Sequence, residues 1–172
     1  MSPIVTNITL DPNDIIKLKN VISENAANPH KEGIAVSGVA PAGAYCSTYS
    51  PYLLGDDSFD FLREMVDEKV RDILQEEVNV YNWWVMKYKD GDHVVEHAHS
   101  RVEWVAVYYI DAPVGSGELY FPDINVSIKP KTGMLVIHDA NLVHGVRANS
   151  SPNIDRYNMV INYRTDGTSE SF

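Results

Sequence analysis

Cysteine is the scarcest chemical resource in this 172-residue chain, which has only Cys46. One thiol cannot close an internal disulfide and has no CxxC partner, so a disulfide scaffold and a cysteine-rich zinc site are excluded. A reducing, cytoplasmic compartment fits that usage. Cys46 reads as a small buried apolar residue, the alternative being a reactive thiol. Positive charge is also in short supply: 14 Lys and Arg stand against 24 Asp and Glu, a formal net charge of -10. Nucleic-acid binders usually carry a basic face that displaces counterions, so a nucleic-acid substrate is disfavoured. No apolar run is long enough to cross a bilayer, and the start shows no secretory signal pattern, so no membrane partner is expected. Repeats, low-complexity tracts and interdomain linkers are missing too. With 44% hydrophobic and 22% charged residues, the chain is expected to form one globular domain, residues 1–172, with a sizeable core.

Two helices are predicted in the first part of the chain, residues 1–77. Asp11-Pro12-Asn13-Asp14 is a helix start, followed by Ile15, Leu18, Ile22 and Ala26 at helical spacing until Asn28-Pro29. Asp56-Asp57-Ser58 is read as the cap of a second helix, whose stripe is Leu62, Met65, Val66, Val70, Ile73 and Leu74. Between them, Ile34 to Leu54 mixes Gly, Pro, Ser and Tyr with short apolar runs, which suggests irregular segments and one or two strands. From Val78 the texture becomes β. Short runs rich in Val, Ile, Tyr and Trp are separated by Asp90-Gly91, Gly115-Ser116-Gly117, Pro130 and Gly133. Strands are predicted at Val78–Lys89, Val94–His99, Glu103–Ile110, Glu118–Phe121, Ser127–Lys129, Met134–His138, His144–Ala148 and Tyr157–Tyr163. That number of short strands, over residues 78–165, suggests a sandwich, barrel or jelly roll with the helices packed outside it. Residues 166–172 form a tail.

The chemistry concentrates in the β part. On one strand, His97 and His99 would point the same way and Ala98 the other. Imidazole suits iron, zinc, copper or nickel, and two ligands from one strand plus a distant third leave open coordination positions. His144, on a later strand, is the natural third ligand. Taken singly, each histidine reads more readily as structural, a loop residue or one bonded to a backbone carbonyl; the surrounding strand pattern reverses that. Arg156, Asn158 and Asn162 share one strand face by parity, opposite Tyr157, Met159 and Ile161, and a polar face inside a barrel needs a polar guest or water. Glu103 shares the odd parity of His97 and His99 if the strand is uninterrupted, which makes it an alternative third or additional ligand. His93 and Glu96 read as solvated loop residues, and His138 as a strand-end residue more than a fourth ligand. Tyr45 to Tyr52, Trp83 and Trp84 could line an entrance or belong to the core.

The order Tyr88-x-x-Gly91, His97-x-His99, Trp104…Tyr108-Tyr109, Gly117-x-Leu119-x-Phe121, Pro130-x-x-Gly133, His144 and Arg156 resembles the 2-oxoglutarate and Fe(II)-dependent oxygenases. It looks closest to the prolyl-hydroxylase-like branch, which includes many short proteins from marine bacteria and cyanophages. The match spans Asn82 to Thr165. The resemblance implies a double-stranded β-helix, the jelly roll shared with cupins, and a dioxygenase that takes Fe(II), 2-oxoglutarate and O2. His97 matches the first histidine of the family's His-x-Asp pair, His144 the distal histidine, and Arg156 the basic residue that pairs with the far carboxylate of 2-oxoglutarate. Tyr88 stands where a tyrosine often contacts the cosubstrate, and packing is its other reading. A guanidinium forks bidentately onto a carboxylate, so the physics agrees for Arg156.

Position 99 departs from the pattern, with His99 where the family usually has a carboxylate. Three neutral imidazoles leave the metal's full charge, and a chelating oxo-acid could supply the missing anion. The run Gly91-x5-His97-x-His99-x3-Glu103 also follows the cupins, although Ile110 stands where their next glycine belongs. The expectation is therefore an oxygenase hydroxylating a small-molecule or peptidyl substrate with conversion of 2-oxoglutarate to succinate. It would act in a cytoplasm, the cell's own or, for a virus-encoded chain, a host's. A cupin-like metalloenzyme without 2-oxoglutarate and a non-catalytic jelly-roll binding module are the alternatives. The substrate and the oligomeric state are not written in the sequence.

Overall fold

Two antiparallel sheets face each other, and the chain passes back and forth between them in the manner of a jelly roll. The computed structural model describes residues 1–27, 44–47 and 57–167. In chain order these residues form β1 (Ile4–Asn7), α1 (Pro12–Ala27), β2 (Tyr45–Cys46), α2 (Ser58–Leu74), β3 (Asn79–Tyr88), β4 (Val94–His97), β5 (Trp104–Asp111), β6 (Leu119–Phe121), β7 (Val126–Ile128), β8 (Met134–Asp139), β9 (His144–Val146) and β10 (Arg156–Arg164). The larger sheet runs β1-β8-β5-β10-β3-β2 and the smaller β4-β9-β6-β7. β10 is central and is paired along its whole length with β3 and most of it with β5. Its backbone is therefore held from both sides, which suits a strand that carries polar side chains inward.

The helices cover one face of the larger sheet. Leu18 and Ile22 of α1 and Leu62, Val66 and Val70 of α2 are buried on Val85, Ala106, Leu135, Met159 and Ile161. These are the apolar stripes expected from the helical spacing, and their burial supplies most of the helices' stability. Asp11 Oδ1 caps α1 by accepting the Asn13 N–H at 2.8 Å. Asp57 does not cap α2 as its sequence suggests: it lies in the αR region and makes no side-chain bond to the helix end. Asp56 lies outside the described residues. No helix among the described residues is long and apolar enough to cross a membrane.

Strand positions follow the predicted ones within a residue or two, with instructive exceptions. β1 was not anticipated, since four residues leave too short a pattern to read, yet it pairs with β8 from Ile4↔Ile137 to Asn7↔Met134. The stretch 34–54 is described only at 44–47, where β2 pairs with Lys87 and Met86. The expectation of one strand from Val94 to His99 is corrected: β4 ends at His97, and the chain then turns before β5 begins at Trp104. That break cancels the parity argument for Glu103.

Candidate metal and anion site

The inner faces of the two sheets enclose a cavity of about 60 Å³. That is several times the roughly 10–15 Å³ a single water needs. Most of its wall is apolar, with Trp84, Met86, Val107, Leu119 and Val160 among the lining residues. Against this wall two polar groups stand out, a histidine cluster at one place and Arg156 at another.

The cluster is built at the junction of three segments. His97, the last residue of β4, pairs in register with His144, the first of β9. His99 lies past the strand end, and its N–H donates to the Ala140 carbonyl at 2.8 Å, in the turn between β8 and β9. Ala140 is held in turn by its own N–H on the Glu103 carbonyl at 2.9 Å. Ring centroids lie 4.4 Å apart for His97 and His144, and 5.2 Å for each of the other two pairs. One ligand atom from each of the three lies within 4.8 Å of the others, close enough to share one ion.

Their hydrogen bonds set which nitrogen is free. Nδ1 of His97 meets the Val95 carbonyl at 2.9 Å, and Nδ1 of His144 meets the Leu142 carbonyl at 2.9 Å. A carbonyl only accepts, so each Nδ1 carries the proton and each Nε2 presents a bare lone pair. Nδ1 of His99 meets Oδ1 of Asn162 at 2.8 Å. Burial lowers the His97 pKa below the usual histidine range and takes His99 down to about 4 and His144 to about 2, the neighbouring imidazoles adding to the effect at His99 and His144. Neutral imidazole is the form that binds metals.

Arg156 begins β10 and is 1% exposed. Its Nη1 donates to the Gly117 carbonyl at 2.6 Å, and its guanidinium sits 3.9 Å from the centre of the Tyr88 ring. Nε and Nη2 are buried with no hydrogen-bond partner among the described residues. A buried cation without an anion is costly, so these donors point to an anionic guest. Gly117 permits the arrangement: a Cβ there would fall 1.7 Å from the Arg147 carbonyl oxygen. Tyr88 is buried, its hydroxyl turned to Met86 Sδ at 3.2 Å, and burial raises its pKa well above the usual value. Asn158, two residues along the same strand face, lines the cavity with its Oδ1 also unpartnered.

Other residues singled out in the sequence fall elsewhere. Glu103 is not brought to the cluster: it is exposed, and its Oε2 accepts the Thr165 N–H at 3.0 Å. His93 and Glu96 are exposed, although Glu96 lies within β4 and not in a loop. His138 is one residue from the end of β8 and lies outside the group of three, yet it is fully buried, 4.4 Å from His144 by ring centroids, with Nε2 unpartnered. Trp83 belongs to the core under the helices, whereas Trp84 lines the cavity and stacks on His99 at 6.0 Å and 14°. Tyr45 is half-buried against the helix-side core and Cys46 is buried, its thiol pushed up to about 12 by burial. Residues 48–52 lie outside the described residues. Asn162 was read only as a member of the polar face; what identifies its partner is a contact between residues 63 apart in sequence.

No family model matches the chain, and no curated protein matches it in sequence. Solved structures do match. A prolyl-4-hydroxylase from Pseudomonas putida superposes with a TM-score of 0.71 at 16% identity, covering 96% of this chain and 93% of its own. The viral collagen prolyl hydroxylase of Paramecium Bursaria Chlorella virus-1, in complex with 2-oxoglutarate, gives 0.67 at 16% identity over 95% and 96%. HygX from Streptomyces hygroscopicus, with nickel and 2-oxoglutarate bound, gives 0.68 at 12% over 99% and 85%. The chain therefore has the jelly-roll fold found in 2-oxoglutarate and Fe(II)-dependent oxygenases.

Proposed function

We propose that this protein is an Fe(II)- and 2-oxoglutarate-dependent oxygenase in which His97, His99 and His144 hold the metal and Arg156, backed by Tyr88, anchors the cosubstrate. The observation that carries the reading is the pairing within one cavity of bare imidazole nitrogens with a buried guanidinium whose Nε and Nη2 lack partners. Three neutral ligands suit iron, and they equally suit nickel or zinc, so the donor set alone does not choose the metal. Charge narrows the guest. A divalent ion with three uncharged ligands at one place and a buried guanidinium at another each call for an anionic group, and the two carboxylates of 2-oxoglutarate would supply them.

When bound together, iron, the oxo-acid and O2 supply oxidative decarboxylation: 2-oxoglutarate, O2 and a substrate C–H give succinate, CO2 and the C–OH product. The chain's own residues bind and orient. Arg156 offers its free donors to the far carboxylate, Gly117 fixes the guanidinium through its carbonyl, and the Tyr88 ring shields the cation's face. Trp84 stacks on His99 and limits its rotation. With the guest seated, the apolar wall would keep water from it, which strengthens the charge pairing inside. The primary substrate is a small molecule or a peptidyl residue, chosen by loops the fold leaves free to vary.

Uncoupled turnover tests the reading. Protein loaded anaerobically with Fe(II), then given O2 and 2-oxoglutarate without primary substrate, is expected to release succinate slowly; His97→Ala is expected to abolish the signal and Arg156→Met to shift it to about 10–100-fold higher 2-oxoglutarate. Iron binding without any succinate would overturn the 2-oxoglutarate assignment and leave a cupin-like metalloprotein.

A further inference from the structure

Two of the three clustered histidines are oriented by carbonyls of their own backbone, and the third is not. Val95 and Leu142 each lie two residues before the histidine they hold, so no side-chain change removes those contacts. His99 is past the end of its strand, and its Nδ1 meets a side chain instead, Asn162 Oδ1 at 2.8 Å. Asn162 is itself fixed: its Nδ2 donates to Asn82 Oδ1 at 2.8 Å, directly across the β10–β3 pair. Both asparagines are nearly buried, at 7% and 8% exposure. With its amide nitrogen committed to Asn82, Asn162 turns its oxygen to His99.

Resting on the metal assignment above, we infer that Asn162, held by Asn82, is the positioning residue that keeps the proton on His99 Nδ1 and so leaves His99 Nε2 bare for the metal. The relay does with two neutral amides what a carboxylate partner would do with charge. A ligating histidine ordinarily donates its second N–H to a carboxylate, a backbone carbonyl or water, and loss of such a partner costs about 10–100-fold in metal affinity. An asparagine here keeps the whole ligand shell uncharged, which leaves the balancing anion to the guest.

The experiment uses Co(II) as the probe, titrated into the metal-free 172-residue chain and followed by calorimetry and by the visible Co(II) absorption, with 15N NMR of histidine-labelled protein reporting the tautomer. In the wild type, His99 is expected as the Nδ1–H tautomer. Asn162→Ala is expected to lose about 10–100-fold in Co(II) affinity with an altered spectrum and a mixed His99 tautomer. Asn162→Asp, which still accepts from Nδ1 and adds charge but cannot donate to Asn82 Oδ1, is expected to restore binding to the wild-type level or beyond once Asn82 turns its amide NH2 to the carboxylate. A purely packing role would not produce that rescue. An Nε2–H tautomer in the wild type, or Asn162→Ala with unchanged affinity and spectrum, would overturn the inference even if a variant folds poorly, because the tautomer is read on the wild type. If Co(II) affinity is the same in wild type and His97→Ala, it is the metal assignment that fails.

Discussion

β10 carries two sets of side chains on one backbone, and the faces behave differently. Tyr157, Met159, Ile161 and Tyr163 point to the helices, where they join a closed apolar core. The tyrosine hydroxyls met there are satisfied within the protein: Tyr163 donates to the buried Asp67 at 2.6 Å, and the Tyr157 hydroxyl pairs with Ser23 Oγ at 3.0 Å. Arg156, Asn158 and Val160 point to the cavity, where Arg156 Nε and Nη2 and Asn158 Oδ1 have no partner among the described residues. Buried polar groups are normally paired, so an unpaired set confined to one face marks the face made for a guest. The helix face makes the fold, and the cavity face is the one that the proposed guest would complete.

Substitutions on the two faces should therefore separate stability from binding. On the cavity side, His97→Ala and His144→Ala should each lower Co(II) or Fe(II) affinity by more than about 10²-fold, beyond the usual loss for an outer partner. Calorimetric titration checks this, and melting of the metal-free variants should change little. On the helix side, Met159→Ala should cost about 2–5 kcal/mol in urea unfolding, as for a fully buried side chain, while metal affinity of the folded fraction stays within twofold. A metal affinity that falls with Met159→Ala would break the division between faces.

Arg156→Met should weaken 2-oxoglutarate binding by about 10–100-fold, the loss of hydrogen bonds to a charged group, measured on metal-loaded protein. The same change should leave stability equal or raise it, since an uncompensated buried cation is replaced by an apolar side chain. The smallest effect concerns Asp67. Burial raises its pKa, opposed in part by the Tyr163 hydroxyl and Arg63. A carboxyl raised in the folded state contributes its full stability below the unfolded value and loses it as pH rises through the folded one. Asp67→Asn, permanently neutral and still able to accept from Tyr163, should be neutral to stabilising by within about 1 kcal/mol at pH 7. That advantage should shrink as pH falls, in melting temperatures compared from pH 7 down to pH 4.

How far the sequence disclosed this arrangement depended on the range over which each signal acts. Period-2 alternation along β10 was enough to divide its faces, because strand geometry is local. The stripes of α1 and α2 were legible for the same reason. β1 was not, since four residues hold too little pattern. His97 and His99 were joined by parity on one strand, whereas the structure brings them together across a strand end, with Ala140 holding His99 from another segment. The same broken strand removes Glu103, whose parity held only for a continuous one. Asn162 and its Asn82 partner could be seen as polar residues in strands, but their contact comes from sheet register, and register is tertiary information. His138 likewise reads as an ordinary strand end until its burial beside His144 is known.

The central claim is that the histidine cluster and Arg156 serve one guest. Anaerobic titration of 2-oxoglutarate into Fe(II)-loaded protein, followed by the visible charge-transfer absorption of an iron-bound oxo-acid, tests it most directly. The account predicts a saturable band that needs the metal ligands to form and shifts to about 10–100-fold higher 2-oxoglutarate concentration in Arg156→Met. Iron-loaded protein that shows no band, or a titration identical in wild type and Arg156→Met, would contradict it.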